Sequence, residues 1–193
     1  MLPETGSALT EQGKTETVNT ISQLYRSLAE RFAEMVRQDL GARLTSIVLY
    51  GSVARGTARP DSDIDLFVVA GESDEDKGPL WDQVLDLEQT FWNDQEVAAL
   101  RAQGYRASIE TYVVSKAQAW RGLPIYLDMT LDAIVLHDPE KFFSRRIDQV
   151  KQRMVELRSR REWLSKDTYI WQLKTDAEPG EVISLPYVEE TQR

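Results

Sequence analysis

Two aspartates separated by one isoleucine, Asp63-Ile64-Asp65, stand at the head of the apolar run Leu66 to Ala70. Residues two apart on a strand leave the same face, so both carboxylates would share a face with Phe67 and Val69 while Ile64, Leu66 and Val68 take the other. Like charges at that spacing repel, and apolar surroundings raise the cost of keeping them ionised. A hard divalent cation removes both costs. With no cysteine and one histidine in the chain, the oxygen-only donor set favours magnesium or manganese over zinc, and such ions commonly arrive with the phosphates of a nucleotide.

Upstream, Gly51-Ser52 closes the β-forming run Leu44 to Tyr50. Gly51 lets the backbone approach a ligand closely and Ser52 adds a hydroxyl donor. A helical turn starting at Val53 would leave free amides around Ser52 as an anion site for the β and γ phosphates, with Arg55 adding charge and Gly56 a second tight turn. Gly51, Ser52, Arg55 and Gly56 are therefore the nucleotide-binding candidates. No P-loop pattern occurs, no Ser/His/Asp arrangement is present, and the lone His137, before Asp138-Pro139, reads as a surface or loop residue.

The elements that must position these residues are legible in outline. Residues 1–17 are polar and read as a flexible lead-in. From Ile21 to Leu40 apolar residues recur every three or four positions, predicting an amphipathic helix stopped at Gly41. Strands are predicted over Leu44–Gly51, Ile64–Ala70, Tyr105–Ser115 and Ala133–His137. A helix opening at Pro79 lines up Leu80, Val84, Leu87 and Phe91, with Val97 and Leu100 continuing the same face, and Lys116 to about Leu131 is a less regular helical region. A last helix is expected from about Pro139 to Leu164, followed by a tail that docks through Tyr169, Trp171 and Leu173. The result is an α/β (α+β) domain over residues 18–138, one small mixed sheet flanked by helices, with a basic helix and docking tail over 139–193.

At 193 residues and 41% apolar composition the chain suits one packed domain. No run approaches a membrane span, the N-terminus lacks the order of a secretory leader, and cysteine is absent, so the expected location is the cytoplasm. The net charge of −9 disfavours nucleic acid as the main partner. That charge is uneven: Lys141 to Lys166 holds nine Lys or Arg against three acids.

Over Tyr50 to Val69 the sequence resembles the nucleotidyltransferase superfamily similar to DNA polymerase beta, and within it the minimal nucleotidyltransferases, whose signature is Gly-Ser, ten residues, then Asp-x-Asp. Here Gly51-Ser52 is followed by the ten residues Val53 to Ser62 and then Asp63-Ile64-Asp65. The likeness extends as a fold over roughly residues 20–138. It implies a nucleotidyltransferase fold, metal-dependent transfer of a nucleotidyl group, with ATP as donor, to a hydroxyl, and Mg2+ or Mn2+ held by Asp63, Asp65 and a third carboxylate on a later strand. Glu110, in the β-like Ala107 to Ser115, is the leading candidate for that third ligand. Asp128 and Asp132, in a stretch that reads as helical, are alternatives, and a site with no third carboxylate is also open.

The resemblance further implies an acceptor on a partner protein, since minimal nucleotidyltransferases are often antitoxins that adenylylate a tyrosine of a HEPN-type toxin. Two other readings stand beside it: a small-molecule acceptor of aminoglycoside type, drawn in by the acidic surplus, and a non-catalytic partner-binding protein of the same fold. The acidic body and aromatic tail allow an oligomer.

Overall fold

The structure, a computed structural model, describes residues 11–165 and 168–183. In chain order the elements are α1 (Glu11–Leu40), β1 (Leu44–Tyr50), α2 (Gly51–Arg55), β2 (Ile64–Ala70), α3 (Lys77–Trp92), α4 (Gln95–Ala102), β3 (Ile109–Val114), α5 (Lys116–Trp120), α6 (Tyr126–Asp132), β4 (Ile134–His137), α7 (Phe142–Leu157), β5 (Arg160–Trp163) and β6 (Tyr169–Gln172). Four strands form one mixed sheet in the order β3-β2-β1-β4. β1 runs antiparallel to both β2 and β4, and β2 runs parallel to β3.

Strand alternation splits the core into two layers, as the period of two requires. Ile47, Leu49, Ile64, Leu66 and Val68 face α1 and α3, where they meet Tyr25, Leu28, Phe32, Val36, Leu80 and Val84. Val48, Phe67, Val69 and Val114 face the other way and meet α6 and α7 through Tyr126, Met129, Phe143, Ile147 and Val150. Phe67 is the centre of that second layer, with the rings of Tyr112, Tyr126 and Phe143 within 6.0 Å of its own.

Several boundaries differ from the sequence expectation. Residues 11–17, expected in the lead-in, are helical, while residues 1–10 lie outside the described chain. The helix opening near Pro79 breaks at Asn93, and α4 restarts because the Asp94 carboxylate accepts the N–H groups of Glu96 and Val97. The basic helix expected to reach Leu164 stops at Leu157. Arg158 takes a left-handed conformation (φ +56°) and the chain turns into the antiparallel β5–β6 hairpin. The docking tail is present: Trp171 and Leu173 pack on the second layer.

Asp138, expected only as a strand stop, ties α7 to the sheet. Its carboxylate accepts the N–H groups of Phe143 and Ser144 and the hydroxyls of Ser144 and of buried Ser46 on β1. Burial opposes ionisation here, and these hydrogen bonds outweigh it, leaving the group below its ordinary value of 3.8. Asp138→Ala is expected to cost about 2–3 kcal/mol in denaturant unfolding at neutral pH. A carboxylate depressed on folding contributes above its unfolded value, so the wild-type advantage should fade as pH drops below about 4.

Candidate active site

The site lies where β1 ends and β2 and β3 begin. β1 stops at Tyr50, and Gly51 (φ +73°) turns the chain directly into α2. A Cβ on Gly51 would overlap Asp65 Oδ2 and lie 2.9 Å from its Cγ; the carboxylate therefore rests on the bare glycine. Gly56, left-handed at φ +75°, closes α2, its N–H donating to the Val53 carbonyl at 3.2 Å. Arg26 of α1 donates through Nε to the same Val53 carbonyl at 3.2 Å and through Nη2 to the Ala54 carbonyl at 2.7 Å.

The loop from α2 to β2 is pinned from two sides. Ser22 accepts the Ala58 N–H, and the Tyr25 hydroxyl donates to the Pro60 carbonyl at 2.6 Å. From the segment before β3, the Arg106 N–H donates to the Pro60 carbonyl and the Ser108 carbonyl accepts the Ile64 N–H. Asp63 thus leaves an anchored loop at the mouth of β2, its Oδ1 accepting the Ser108 hydroxyl at 2.8 Å.

The parallel register pairs Asp65 with Glu110, and β1 places Tyr50 on its other side. Glu110 therefore stands beside Asp65 on the face that also carries Phe67 and Tyr112. Burial, then the charges of Asp63 and Glu110, pushes the Asp65 carboxyl up to about 6, with Arg55 pulling the other way. Burial, then Asp65, the Tyr112 phenol and Glu110, push the Tyr50 phenol up to about 12. This is the electrostatic state of oxygen donors short of positive charge.

Of the sequence candidates, the fold brings Asp63, Asp65, Glu110, Gly51, Ser52 and Arg55 to one end of the sheet. Among the described residues no three His, Cys, Asp or Glu side chains close on a common point as a preformed metal centre. The carboxylate oxygens suit a hard divalent cation in kind, but Asp63 is already engaged by Arg106 as well as Ser108.

Asp128 is elsewhere. On α6, its Oδ1 accepts both the Tyr169 hydroxyl and the Trp171 indole N–H, each at 2.8 Å. It anchors the hairpin. Asp132 lies in the same region, with Arg161 Nη1 3.8 Å away. Asp128→Ala is expected to release β5–β6 and speed tryptic cleavage after Arg158, Arg160 and Arg161 about tenfold, with the global unfolding transition nearly unmoved. Arg106 and Ser108 escaped the sequence reading. Their positions four and two residues before Glu110 were the available signal, but which side chains meet there depends on Ala107.

Residues 29–118 match the family of nucleotidyltransferase domains. This segment is similar to nucleotidyltransferase domains. It contains all three carboxylates and the Gly51–Gly56 turn. A Methanocaldococcus jannaschii protein, provisionally named a protein adenylyltransferase, is 42% identical over 48 residues, which are 25% of this chain and 33% of that protein. The matched stretch spans only a third of that relative's length. Two solved structures resemble the chain at low similarity. A toxin-antitoxin crystal structure with AMP-PNP has a TM-score of 0.40 and 18% identity, covering 67% of this chain and 92% of its own. A toxin-antitoxin MntA-HepT structure has a TM-score of 0.34 and 16% identity, covering 68% and 92%. The matched residues are followed by α6, β4, α7 and the hairpin. No described helix is long and apolar enough to cross a membrane.

Proposed function

We propose that the protein transfers a nucleotidyl group, AMP from ATP, to a hydroxyl on a partner protein, with a HEPN-type toxin as the partner class. The observation that carries this is the pairing of Asp65 with Glu110 across parallel strands, beside Asp63 and the Gly51 turn, inside a segment similar to nucleotidyltransferase domains.

In the reaction the acceptor oxygen bonds to the α-phosphorus, the bond from that phosphorus to the α,β-bridging oxygen breaks, and pyrophosphate leaves. Asp63 and Asp65, with Glu110, would hold Mg2+ or Mn2+, which when bound neutralises the triphosphate and acidifies the acceptor hydroxyl. Ser52 and the amides of α2 orient phosphates, and Arg55 adds positive charge beside Asp65. Glu110, more exposed than Asp65, would take the acceptor's proton.

A protein acceptor is supported by the provisional name of the archaeal relative and by the surface. A groove between α6, α7 and the hairpin is lined by Leu131, Val155 and Trp171 and rimmed by Lys151, Arg158 and Arg160. Val155 is 78% exposed and Leu131 52%. Exposed apolar area inside a basic rim, on a chain of net charge −9, suits an acidic protein surface.

The test is incubation with α-labelled ATP and Mg2+, with and without the protein encoded beside it, against an Asp63→Asn, Asp65→Asn control. Label on the neighbour that vanishes in the double variant is the expected result. Nucleotide binding without label on the neighbour would turn the acceptor search to small hydroxylated molecules. Absence of metal-dependent nucleotide binding would leave a partner-binding protein.

A further inference from the structure

Arg106 spans the carboxylates that flank Asp65. Its Nε lies 2.8 Å from Asp63 Oδ1, and its Nη2 lies 3.9 Å from Glu110 Oε1. Nε also donates to Ser108 Oγ at 3.1 Å, and that hydroxyl in turn donates to the same Asp63 oxygen. One guanidinium thus occupies the ground between two acids that the reaction needs free.

The backbone is built to put it there. Between Arg106 and Ser108 sits Ala107, fully buried and left-handed at φ +49°, a conformation costly for any residue with a Cβ. The Ala107 N–H is held by the Tyr25 hydroxyl at 3.3 Å, and the Arg106 N–H by the Pro60 carbonyl at 2.6 Å. The Arg106 side chain is nevertheless 51% exposed. An ion pair that exposed adds little to stability and exchanges readily. A strained, pinned backbone presenting a weakly held arginine is poorly explained as a brace, and well explained as a group placed to let go.

We propose that Arg106 is a displaceable counter-ion and positioning residue of the nucleotide site. In the empty site it neutralises Asp63 and Glu110. When nucleotide enters, the guanidinium transfers to the phosphates and releases both carboxylates to the divalent cation. This rests on the nucleotidyltransferase reading of the site. Two cations cannot both take the full charge of the same carboxylates, so Arg106 weakens cation binding when nucleotide is absent. By linkage, nucleotide and cation each raise the affinity for the other. The device keeps the carboxylates from trapping a cation before the substrate has arrived.

The test uses the full chain and two separate binding measurements. Mn2+ binding without nucleotide is followed by the resonance signal of the free ion, and binding of a fluorescent ATP analogue is measured in EDTA. Arg106→Gln is expected to bind Mn2+ about tenfold tighter, the effect of removing one nearby positive charge in a partly solvated site, and the metal-free nucleotide more weakly. Arg106→Lys should stay near wild type in both, which also separates charge from folding. Asp65→Asn in the Arg106→Gln background should erase the gained Mn2+ affinity. Mn2+ affinity in Arg106→Gln equal to or below wild type, with nucleotidyl transfer by the wild type intact, overturns the proposal alone and makes Arg106 a brace of the loop. No Mn2+ binding by either form overturns it together with the cation-site reading.

Discussion

Asp65→Asn is expected to lower nucleotidyl transfer by roughly 10³-fold and, in the absence of divalent cation, to make the protein more stable. The first effect follows from removing the carboxylate flanked by Glu110 and Tyr50 in the sheet. The second follows from its carboxyl being pushed up to about 6 from an ordinary 3.8 by burial and by its acidic neighbours. The folded chain holds that proton more tightly than the unfolded chain, so the ionised group opposes folding. Its cost is absent below about pH 4, grows as pH rises to about 6, and is constant above. Solvent screening at this half-buried group reduces the effect to about 1–2 kcal/mol, or about 2–8 °C in melting temperature for a chain of this size. Melts of both proteins in EDTA from pH 4 to pH 8 should show the curves separating over that window. Adding Mn2+ should raise the wild-type melting temperature and leave Asp65→Asn nearly unmoved. A variant less stable than wild type at pH 7 in EDTA would mean that Asp65 is compensated in a way the geometry does not contain.

Gly51→Ala should be the more damaging change to the fold. A Cβ there overlaps Asp65 Oδ2 and comes within 2.9 Å of Cγ, and the position is left-handed at φ +73°. Relief requires moving either the carboxylate or the start of α2, and α2 is held by Arg26 from α1. We expect a loss of about 2–4 kcal/mol from the backbone conformation and the overlap together. Transfer should fall by about 10²-fold or more, because Asp65 and the α2 amides are displaced relative to each other. Gly51→Ala combined with Asp65→Ala tests the cause: removing the carboxylate should recover part of the lost stability, since the two changes share one contact. Additive losses would show that the overlap is not the source.

Much of this site could be read from the sequence. Asp63 and Asp65 were separable from an ordinary strand because the period of two puts them on one face whatever the pairing, and the two core layers follow the same alternation. Glu110 could be ranked first but not placed, because its position beside Asp65 depends on a register between strands far apart in the chain. The end of α7 was illegible for a different reason. Arg158 turns left-handed without glycine, and the arginines that follow have good helix propensity, so nothing local announces the hairpin. The Asp94 break was masked by Val97 and Leu100, which continue the apolar spacing even though the aspartate caps a new helix. Arg106 was hidden because Ala107 adopts a conformation its side chain disfavours, and only the tertiary hold of Tyr25 and Pro60 sustains it.

The parallel pairing of β2 with β3 also sets when the site can exist. Asp65 and Glu110 become neighbours only after α3 and α4 have been made and the chain has returned to lay β3 alongside β2. Pairing of that range is entropically late compared with the β1–β2 antiparallel pair, which closes over a short loop. A chain emerging from the ribosome therefore carries Asp63 and Asp65 for some time as two solvated acids on an incomplete sheet, chemically silent. A fragment ending before Ile109 cannot gather the cluster at all. If the product of this chemistry silences a partner, that silencing begins only once synthesis has passed β3, and premature termination upstream leaves the partner unmodified.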